Sequence, residues 1–471
     1  MIPQPTAYER HAPDTRVVRR ALAESTRAVY WLEEANARAQ FTSLTAGTSA
    51  DLTIVGGGYL GLWTAVQAKR RNPGQRVVLL EAETVGWAAS GRNGGFCEAS
   101  ITHGEENGRS RWPDDYELLE RLGQDNLDGF ERDVRDLELD CHWERNGTLA
   151  VAVEEHQVAW LGDSPHRLDR AAVRAEIDSP LFLAGALDLG GSALVHPARL
   201  ALELARVAAD LGVEIHEHSR VVAVDSAAAG SSVDVRTERA TVRSDRVVLA
   251  TNVFRSLLRR NRLMTIPVYD YVLMTEPLTD EQMALIGWSA RQGLTDLANQ
   301  FHYSRLTRDN RILYGGYDAM YYPGGKVKEQ YEERPETYER LASHFFATFP
   351  QLEDVRFSHR WAGAIDTCTQ FTAFYGLSHR DRVAHAAGFT GLGVGATRFA
   401  ADTLLDLLAG TPTRRTQLKM VRKRPMPFPP EPVAALGINL TRWSLDRADH
   451  RQGQRNALLR TLDAMGLGFD S

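Results

Sequence analysis

The strongest constraint on the fold is a glycine-rich loop that follows an apolar run typical of a buried strand. Leu52–Val55 is that run, and Gly56, Gly58 and Gly61 satisfy the pattern G-x-G-x-x-G. In this pattern the first glycine permits a tight turn, and the second lets backbone N–H groups approach a pyrophosphate. The third glycine lets the following helix pack closely on the sheet. The order of strand, loop and helix therefore predicts a dinucleotide-binding unit.

The residues that follow support the same interpretation. A helix over about Leu60–Arg70 would direct the positive end of its dipole at the phosphates. Arg76–Leu80 is typical of a second strand, and it ends at Glu81. A carboxylate at that position suits the ribose hydroxyls of an adenosine and would repel a 2′-phosphate.

Charge and cysteine content limit the classes of function. The chain has 55 Lys and Arg against 61 Asp and Glu, a formal net charge of −6, which argues against a nucleic-acid-binding surface. Its three scattered cysteines, Cys97, Cys141 and Cys368, form no C-x-x-C pair, so we expect a reducing, cytoplasmic location. His216 and His218 alternate along a strand without a third ligand nearby, so we expect no metal site. No apolar run approaches the ~18 residues of a transmembrane helix.

The N-terminal region predicts a leader followed by one helix. We expect residues 1–13 to form a leader that is either disordered or draped over the rest of the protein. Asp14 or Thr15 would cap a helix that runs to about Ala39, because apolar residues such as Val18 and Leu22 repeat at helical spacing.

A second glycine loop lies near the C-terminal end of the chain. Gly391, Gly393 and Gly395 alternate between a buried strand over Ala384–Phe389 and a helix over Ala396–Leu408. One interpretation is a tight turn at a sheet edge. The other is that the backbone amides meet something flat or anionic at the start of the helix.

Four segments in this order identify a family resemblance. Together they resemble the D-amino acid oxidase (DAO) superfamily of FAD-dependent oxidoreductases. Within it, the chain looks most like the group of γ-glutamylputrescine oxidases and aminophosphonate oxidoreductases. The segments are Ile54-Val55-Gly56-Gly57-Gly58 with Glu81, Ser90-Gly91-Arg92-Asn93-Gly94-Gly95, Val247-Val248-Leu249-Ala250-Thr251-Asn252 and Gly388-Phe389-Thr390-Gly391-Leu392-Gly393-Val394-Gly395.

The resemblance implies a mixed α/β fold, α/β with α+β character. A Rossmann-like FAD-binding domain would be interleaved with an antiparallel-sheet substrate domain, as in flavoproteins of the glutathione reductase type. We expect the FAD-binding domain at 49–140, 191–262 and 380–412, and the substrate domain at 141–190 and 263–379. Residues 1–48 would be a leader and helix, and 413–471 a proline-rich and helical extension.

The resemblance also implies which residues bind FAD. Relatives that attach the flavin covalently use a cysteine whose position falls near Ala364 here, not at Cys368, so we expect non-covalent FAD. The expected contacts are Gly56, Gly58, Tyr59, Leu60, Gly61, Glu81 and Ala82 at the pyrophosphate and ribose; Ser90, Gly91, Arg92, Asn93, Gly94 and Gly95 between pyrophosphate and ring; Val221 at the adenine; Thr251 near the ribityl chain; and Gly391, Leu392, Gly393, Val394 and Gly395 at the flavin.

The implied reaction is oxidation of a C–N bond in a small primary or secondary amine or amino acid. Hydride transfer to flavin N5 would give an imine and then an aldehyde or keto product, with O2 as acceptor and H2O2 formed. The alternatives are an FAD-dependent amine dehydrogenase with another acceptor, an NAD-dependent dehydrogenase and a non-catalytic flavoprotein. The flavin-type segments at 90–95 and 391–395 argue against NAD. The expected partners are the amine and an electron acceptor, with the chain a monomer or homodimer.

Candidate substrate contacts come from the aromatic segment after residue 263. We predict that Tyr271, Tyr303 and Trp361 form walls above the flavin. Arg305 follows Tyr303 on the same strand face and would hold a carboxylate or phosphonate. The alternative interpretation is an aromatic core layer with a surface arginine.

Overall fold

A parallel sheet positions the nucleotide-binding loop. The computed structural model describes residues 3–35, 40–226 and 231–467. The strands of this sheet are apolar runs because a parallel sheet is covered on both faces; Val77–Leu80, for example, is buried throughout. An antiparallel hairpin continues from Thr241–Leu249, and Phe374–Ser378 pairs with the outer strand. In spatial order the parallel strands are Val383–Ala387, Thr241–Leu249, Thr48–Val55, Val77–Leu80 and Glu214–His216; the hairpin adds Val221–Ser226 and Val233–Thr237.

Helices cover this sheet and share one apolar core with it. The predicted helix after the glycine loop is confirmed as Tyr59–Arg71, with three basic residues in its last turn, where the dipole favours positive charge. Buried side chains that join the helices in this core include Trp63, Phe130, Leu204 and Leu404. The covering helices are Tyr59–Arg71, Tyr116–Asp136, Pro197–Asp210 and Gly393–Ala409.

A second, mixed sheet lies across the cavity from the parallel sheet and has its own hydrophobic core. One face packs on the helix Pro335–Thr348 through Leu341 and Phe345. The fold class predicted from the resemblance is therefore confirmed in its two-sheet architecture. In spatial order the strands of the mixed sheet are Thr26–Arg27, Phe357–Thr367, Ile266–Thr275, Ile312–Gly316, His302–Leu306, Gly293–Asp296, Thr148–Ala152, Ala184–Asp188 and Arg167–Leu168. Phe96–Glu98 and Ser192–Leu194 form a separate two-stranded antiparallel sheet.

The prediction of one long N-terminal helix is wrong. Two short helices, Thr15–Leu22 and Tyr30–Glu34, flank a strand at Thr26–Arg27 that pairs with the edge of the mixed sheet. Pairing with the sheet edge supplies backbone hydrogen bonds that a continuous helix would have made internally. The predicted end of the helix, Ala39, lies outside the described residues.

The predicted leader is ordered, in agreement with the draped alternative and not with the disordered one. Ala7–Arg10 is a helix capped by Thr6, and Tyr8 is 4% exposed. The Tyr8 hydroxyl donates to Asp296 Oδ2 at 2.5 Å, which ties the leader to the mixed sheet.

The extension after residue 412 is helical, as predicted for its tail. Its longest helix is Val433–Asp449, followed by Ala457–Ala464. Across the described residues, no helix has the length and apolar character that a membrane crossing requires. The remaining helices are Ala89–Arg92, Gly104–Arg111, Arg170–Glu176, Asp280–Ile286, Arg414–Gln417 and Lys419–Arg422, with 3₁₀ turns at Glu155–Leu161, Arg259–Asn261, Glu329–Tyr331 and Pro350–Leu352.

Candidate active site

A cavity of about 1710 Å³ lies between the two sheets. Small-molecule sites commonly occupy ~300–1,000 Å³, so this cavity has room for a dinucleotide and a substrate together. The carboxyl ends of the parallel strands line one side, at Val55, Leu80 and Ala250. Open α/β sheets bind their ligands at that edge. Asp270 and Tyr303 of the mixed sheet line the opposite side.

The first glycine loop is shaped to leave space along its backbone. Gly56 has φ +113° and donates its N–H to the Leu80 carbonyl at 2.9 Å. A Cβ on Gly58 would stand 2.9 Å from Ser90 Oγ, so a side chain here would narrow the cradle between the two segments. The Gly56 and Gly57 N–H groups bond to Leu80 and Glu81, so a pyrophosphate here would meet Gly58 and the start of the following helix.

Glu81 stands where the sequence predicts it, beside the glycine loop. Its carboxylate accepts hydrogen bonds from Gly57 N at 2.6 Å, Glu83 N at 2.9 Å and Trp87 Nε1 at 3.0 Å. Burial raises the pKa of the Glu81 carboxyl, and these N–H donors oppose the rise. The side chain lines the cavity, which suits the expected contact with ribose hydroxyls.

The segment after Ser90 is held by its own side chains. Ser90 Oγ accepts from Tyr59 N at 3.0 Å, and Asn93 Oδ1 accepts from Gly95 N at 2.8 Å. These bonds fix the backbone of residues 90–95, so their polar side chains also determine the conformation of this segment.

The second glycine loop opens into the cavity at the start of the helix Gly393–Ala409. A Cβ on Gly391 would have its nearest neighbour at 3.9 Å, and one on Gly393 at 4.0 Å, so neither position is crowded by the protein. Leu392 is the N-cap residue of this helix, and no side chain of the described ranges accepts a capping hydrogen bond there. Its first N–H groups and positive dipole end therefore face the cavity.

Asp366 supports this second loop and was missed by sequence reasoning. It is 2% exposed, lines the cavity, and accepts a hydrogen bond from Gly388 N at 2.6 Å. Burial raises the pKa of the Asp366 carboxyl to about 6, against backbone donors of the same loop. A lone aspartate near the end of a strand carries no sequence signal for this role.

Most of the predicted cofactor residues meet at this one cavity. Gly61, Gly91 and Gly395 instead lie behind its wall. A Cβ on Gly61 would overlap the Gly56 carbonyl oxygen, and one on Gly395 would stand 2.5 Å from the Glu98 carbonyl. At these three positions the absence of a Cβ allows close backbone packing. The predicted residues that line the cavity are Gly56, Gly58, Tyr59, Leu60, Glu81, Ala82, Ser90, Arg92, Asn93, Gly94, Gly95, Val221, Thr251, Gly391, Leu392, Gly393 and Val394.

Tyr303 reaches the cavity together with a carboxylate that sequence reasoning missed. The Tyr303 hydroxyl donates to Asp270 Oδ2 at 2.5 Å, and the Tyr303 ring lies against Gly94, where a Cβ would stand 2.6 Å from it. Burial raises the pKa of Asp270 to about 6, while the Tyr303 hydrogen bond opposes the rise. Asp270 is thus a carboxylate whose protonation changes near neutral pH, placed beside the predicted flavin segment.

The structure does not bring Tyr271 to the cavity. Successive side chains of a strand point to opposite faces, so Asp270 faces the cavity and Tyr271 faces the core. The Tyr271 hydroxyl bonds to the Tyr322 hydroxyl and the Tyr331 carbonyl, each at 2.7 Å. The alternative interpretation, an aromatic core layer, describes this residue.

Trp361 and Arg305 share the cavity-facing side of their strands but lie behind the loop at 92–95. Trp361 Nε1 donates to the Arg92 carbonyl at 2.8 Å. Arg305 is 2% exposed, donates to the Val195 carbonyl at 2.5 Å, and stacks over Trp31. Both residues support the loop from beneath, so Arg305 is not placed to hold a substrate anion.

The family model and the relatives that this chain resembles are all described as oxidoreductases. The family model described as FAD dependent oxidoreductase (DAO) matches residues 51–407. The γ-glutamylputrescine oxidoreductase of Escherichia coli is 29% identical over 402 residues, which cover 82% of this chain and 89% of that protein. An oxidoreductase named OrdL from Haemophilus influenzae is 28% identical over 406 residues, with the same coverage.

Solved structures share the fold. Glycine oxidase from Geobacillus kaustophilus superimposes with a TM-score of 0.64 at 18% identity, covering 81% of this chain and 100% of that one. L-proline dehydrogenase from P. horikoshii gives a TM-score of 0.62 at 15% identity, covering 79% of this chain and 96% of that one.

Proposed function

This chain belongs to the DAO family of FAD-dependent oxidoreductases, and from that premise we propose that it oxidises a C–N bond of a small amine or amino acid. The observation that carries the proposal is the single cavity that joins the first glycine loop, the second glycine loop and the Asp270–Tyr303 pair. The similarity to γ-glutamylputrescine oxidoreductase and to amino-acid-oxidising flavoenzymes supports the substrate class.

The residues present fit FAD along the whole cavity. Gly58 and the start of the helix Tyr59–Arg71 would hold the pyrophosphate, and Glu81 the ribose. The uncapped start of the helix Gly393–Ala409 would face the flavin, where its positive end favours negative charge. When bound, FAD supplies a hydride acceptor at its N5 atom.

Asp270 and Tyr303 would prepare the substrate amine. An alkylammonium carries no lone pair on nitrogen, so it must lose a proton before its C–N bond is oxidised. The Asp270 carboxylate would bind the ammonium and accept that proton, and the Tyr303 hydroxyl would hold the carboxylate in place. Val272 and Ile365 line the same cavity and exclude water from the reacting carbon.

An anaerobic screen tests the function. We expect the purified protein to be yellow and its flavin to bleach with at least one member of a panel of primary and secondary amines, D- and L-amino acids and aminophosphonates. We propose O2 as acceptor, so the active amine should release H2O2 in air. Dye reduction without H2O2 would instead indicate a dehydrogenase. A colourless protein that reduces NAD would contradict the proposal, and a yellow protein that no panel member bleaches would favour a non-catalytic flavoprotein.

We further propose that the FAD is bound without a covalent link. Among the described residues, no cysteine lines the cavity, and the buried Cys368 thiol donates to the Thr372 carbonyl at 3.2 Å. Precipitation of the holoenzyme with acid should therefore release all of the flavin into the supernatant, measured by absorbance. Flavin that stays with the washed pellet would contradict this prediction.

A further inference from the structure

The C-terminal extension forms one wall of the cavity, although it lies outside the region matched by the family model, residues 51–407. The helix Val433–Asp449 presents one side to the cavity. The lining residues of this helix include Ala434, Gly437, Ile438, Thr441, Arg442 and Leu445. The residues of this wall therefore come from outside the region that the family model matches.

Carboxylates at both ends hold this helix against loops of the mixed sheet. Before its start, Glu431 accepts from the Tyr321 hydroxyl and from Gly324 N at 3.0 Å. At its end, Asp449 accepts from Asn299 Nδ2 at 2.7 Å and from Asn299 N at 3.0 Å. With both ends fixed, the helix keeps a defined face toward the cavity.

Arg442 brings positive charge to that face. Its Nη1 lies 3.1 Å from Asp318 Oδ1, but Asp318 also pairs with Arg334 at 2.7 Å and Arg340 at 3.2 Å. Among the described residues these ion pairs set one carboxylate against three guanidinium groups, so Asp318 by itself does not neutralise Arg442. The buried Nε of Arg442 has no hydrogen-bond partner within the described ranges.

We infer that Arg442 binds an anionic group of the substrate, a carboxylate or a phosphonate separated from the amine that is oxidised. This inference rests on the proposed function. Asp270 supplies negative charge to the same cavity, so a zwitterionic amine meets opposite charges at its two ends. The Arg442 side chain lines the cavity and is 30% exposed, so its planar guanidinium can offer N–H donors to such a group. Arg442 thereby takes the role predicted for Arg305.

The test compares charged and neutral amines in the wild type, Arg442→Gln and Arg442→Lys. The probes are ω-amino acids of three to six carbons, the matching ω-aminoalkylphosphonates, and the carboxamides of the same amino acids. For the anionic probes, Arg442→Gln should raise KM tenfold or more with little change in kcat, and Arg442→Lys should raise it about threefold. KM for the carboxamides should stay within twofold. A larger effect on phosphonates than on carboxylates, or the reverse, identifies the preferred anion.

Arg447→Gln is the matched control, because Arg447 lies on the same helix and its guanidinium stacks over Trp443. It should leave every KM unchanged. An equal rise in KM for anionic and neutral probes in Arg442→Gln would overturn the inference, as would no change for either.

A binding measurement separates this inference from the proposed function. Glutarate, which carries no amine, should raise the Tm of the wild-type holoenzyme and raise it much less in Arg442→Gln. If no amine bleaches the flavin, the proposed function fails while this shift still tests the anion site. Equal stabilisation of wild type and variant by glutarate would overturn the inference.

Discussion

Replacing Asp270 with asparagine is expected to lower kcat/KM for the active amine by about 100-fold or more, because general bases contribute roughly 10²–10⁴ in rate. The amide cannot accept the proton that the substrate ammonium must lose. It can still accept the Tyr303 hydrogen bond that the carboxylate receives at 2.5 Å. The flavin content of the variant, measured by absorbance, should therefore equal that of the wild type.

The pH profile provides the diagnostic readout for Asp270. Its pKa is raised to about 6, so the group is neutral below that pH and becomes an acceptor only above it. In the wild type, kcat/KM should rise as pH increases through about 6 and rise further as the amine loses its own proton. Asp270→Asn should lose the first rise and keep the second.

Tyr303→Phe is the companion variant. The Tyr303 hydrogen bond favours the charged form of Asp270 and lowers its pKa, so its removal should move the first rise to higher pH. A variant Asp270→Asn with wild-type kcat/KM across this range would contradict the assignment.

Replacing Gly61 with alanine is expected to abolish FAD binding and to destabilise the fold. The added Cβ would overlap the Gly56 carbonyl oxygen and stand 3.2 Å from Ile54 Cγ2. Backbone cannot yield as a flexible side chain does, so the helix Tyr59–Arg71 must move away from its strand. Overpacking of this kind costs about 1–3 kcal/mol in the free energy of unfolding. The same movement displaces the N–H groups of the loop that faces the pyrophosphate.

Gly437→Ala is the control for flavin content and stability, but not for activity, because Gly437 lines the cavity. Gly437 also lies in a helix, and no heavy atom of the described residues stands within 4 Å of a Cβ placed there. This variant should retain its FAD and gain up to about 1 kcal/mol, since alanine is the better helix former. Flavin absorbance and thermal unfolding of both variants check the pair. Full FAD content in Gly61→Ala would contradict the packing role.

The cofactor half of the site could be predicted because its signals are local. The strand, glycine loop, helix and acidic residue between Leu52 and Glu81 stand in sequence order, and each has a pattern of its own. The second loop at Gly391–Val394 is equally readable. The motif assigned Gly61 to close packing of the helix on the sheet, as the structure has it. Sequence alone did not separate Gly91 and Gly395 from the glycines that face the cavity.

The substrate half was harder to predict because a strand has two faces. The alternation along Ile266–Thr275 places Asp270 and Tyr271 on opposite faces, but the pattern does not say which face meets the cavity. Tyr271 packs toward the Pro335–Thr348 helix, and this packing turns Asp270 toward the cavity. Arg305 and Trp361 share the correct face, yet the loop at 92–95 lies between them and the cavity.

The sequence by itself determined the cofactor, the family and the two-sheet architecture, since these follow from short motifs whose residues are neighbours in the chain. The division into domains at the stated boundaries stays a prediction. Only the tertiary structure decided that the ring of Tyr303, the partner of Asp270, lies against Gly94, and that Arg442 of the C-terminal helix lines the cavity. Those positions depend on packing between segments more than a hundred residues apart in the chain, which no local pattern encodes.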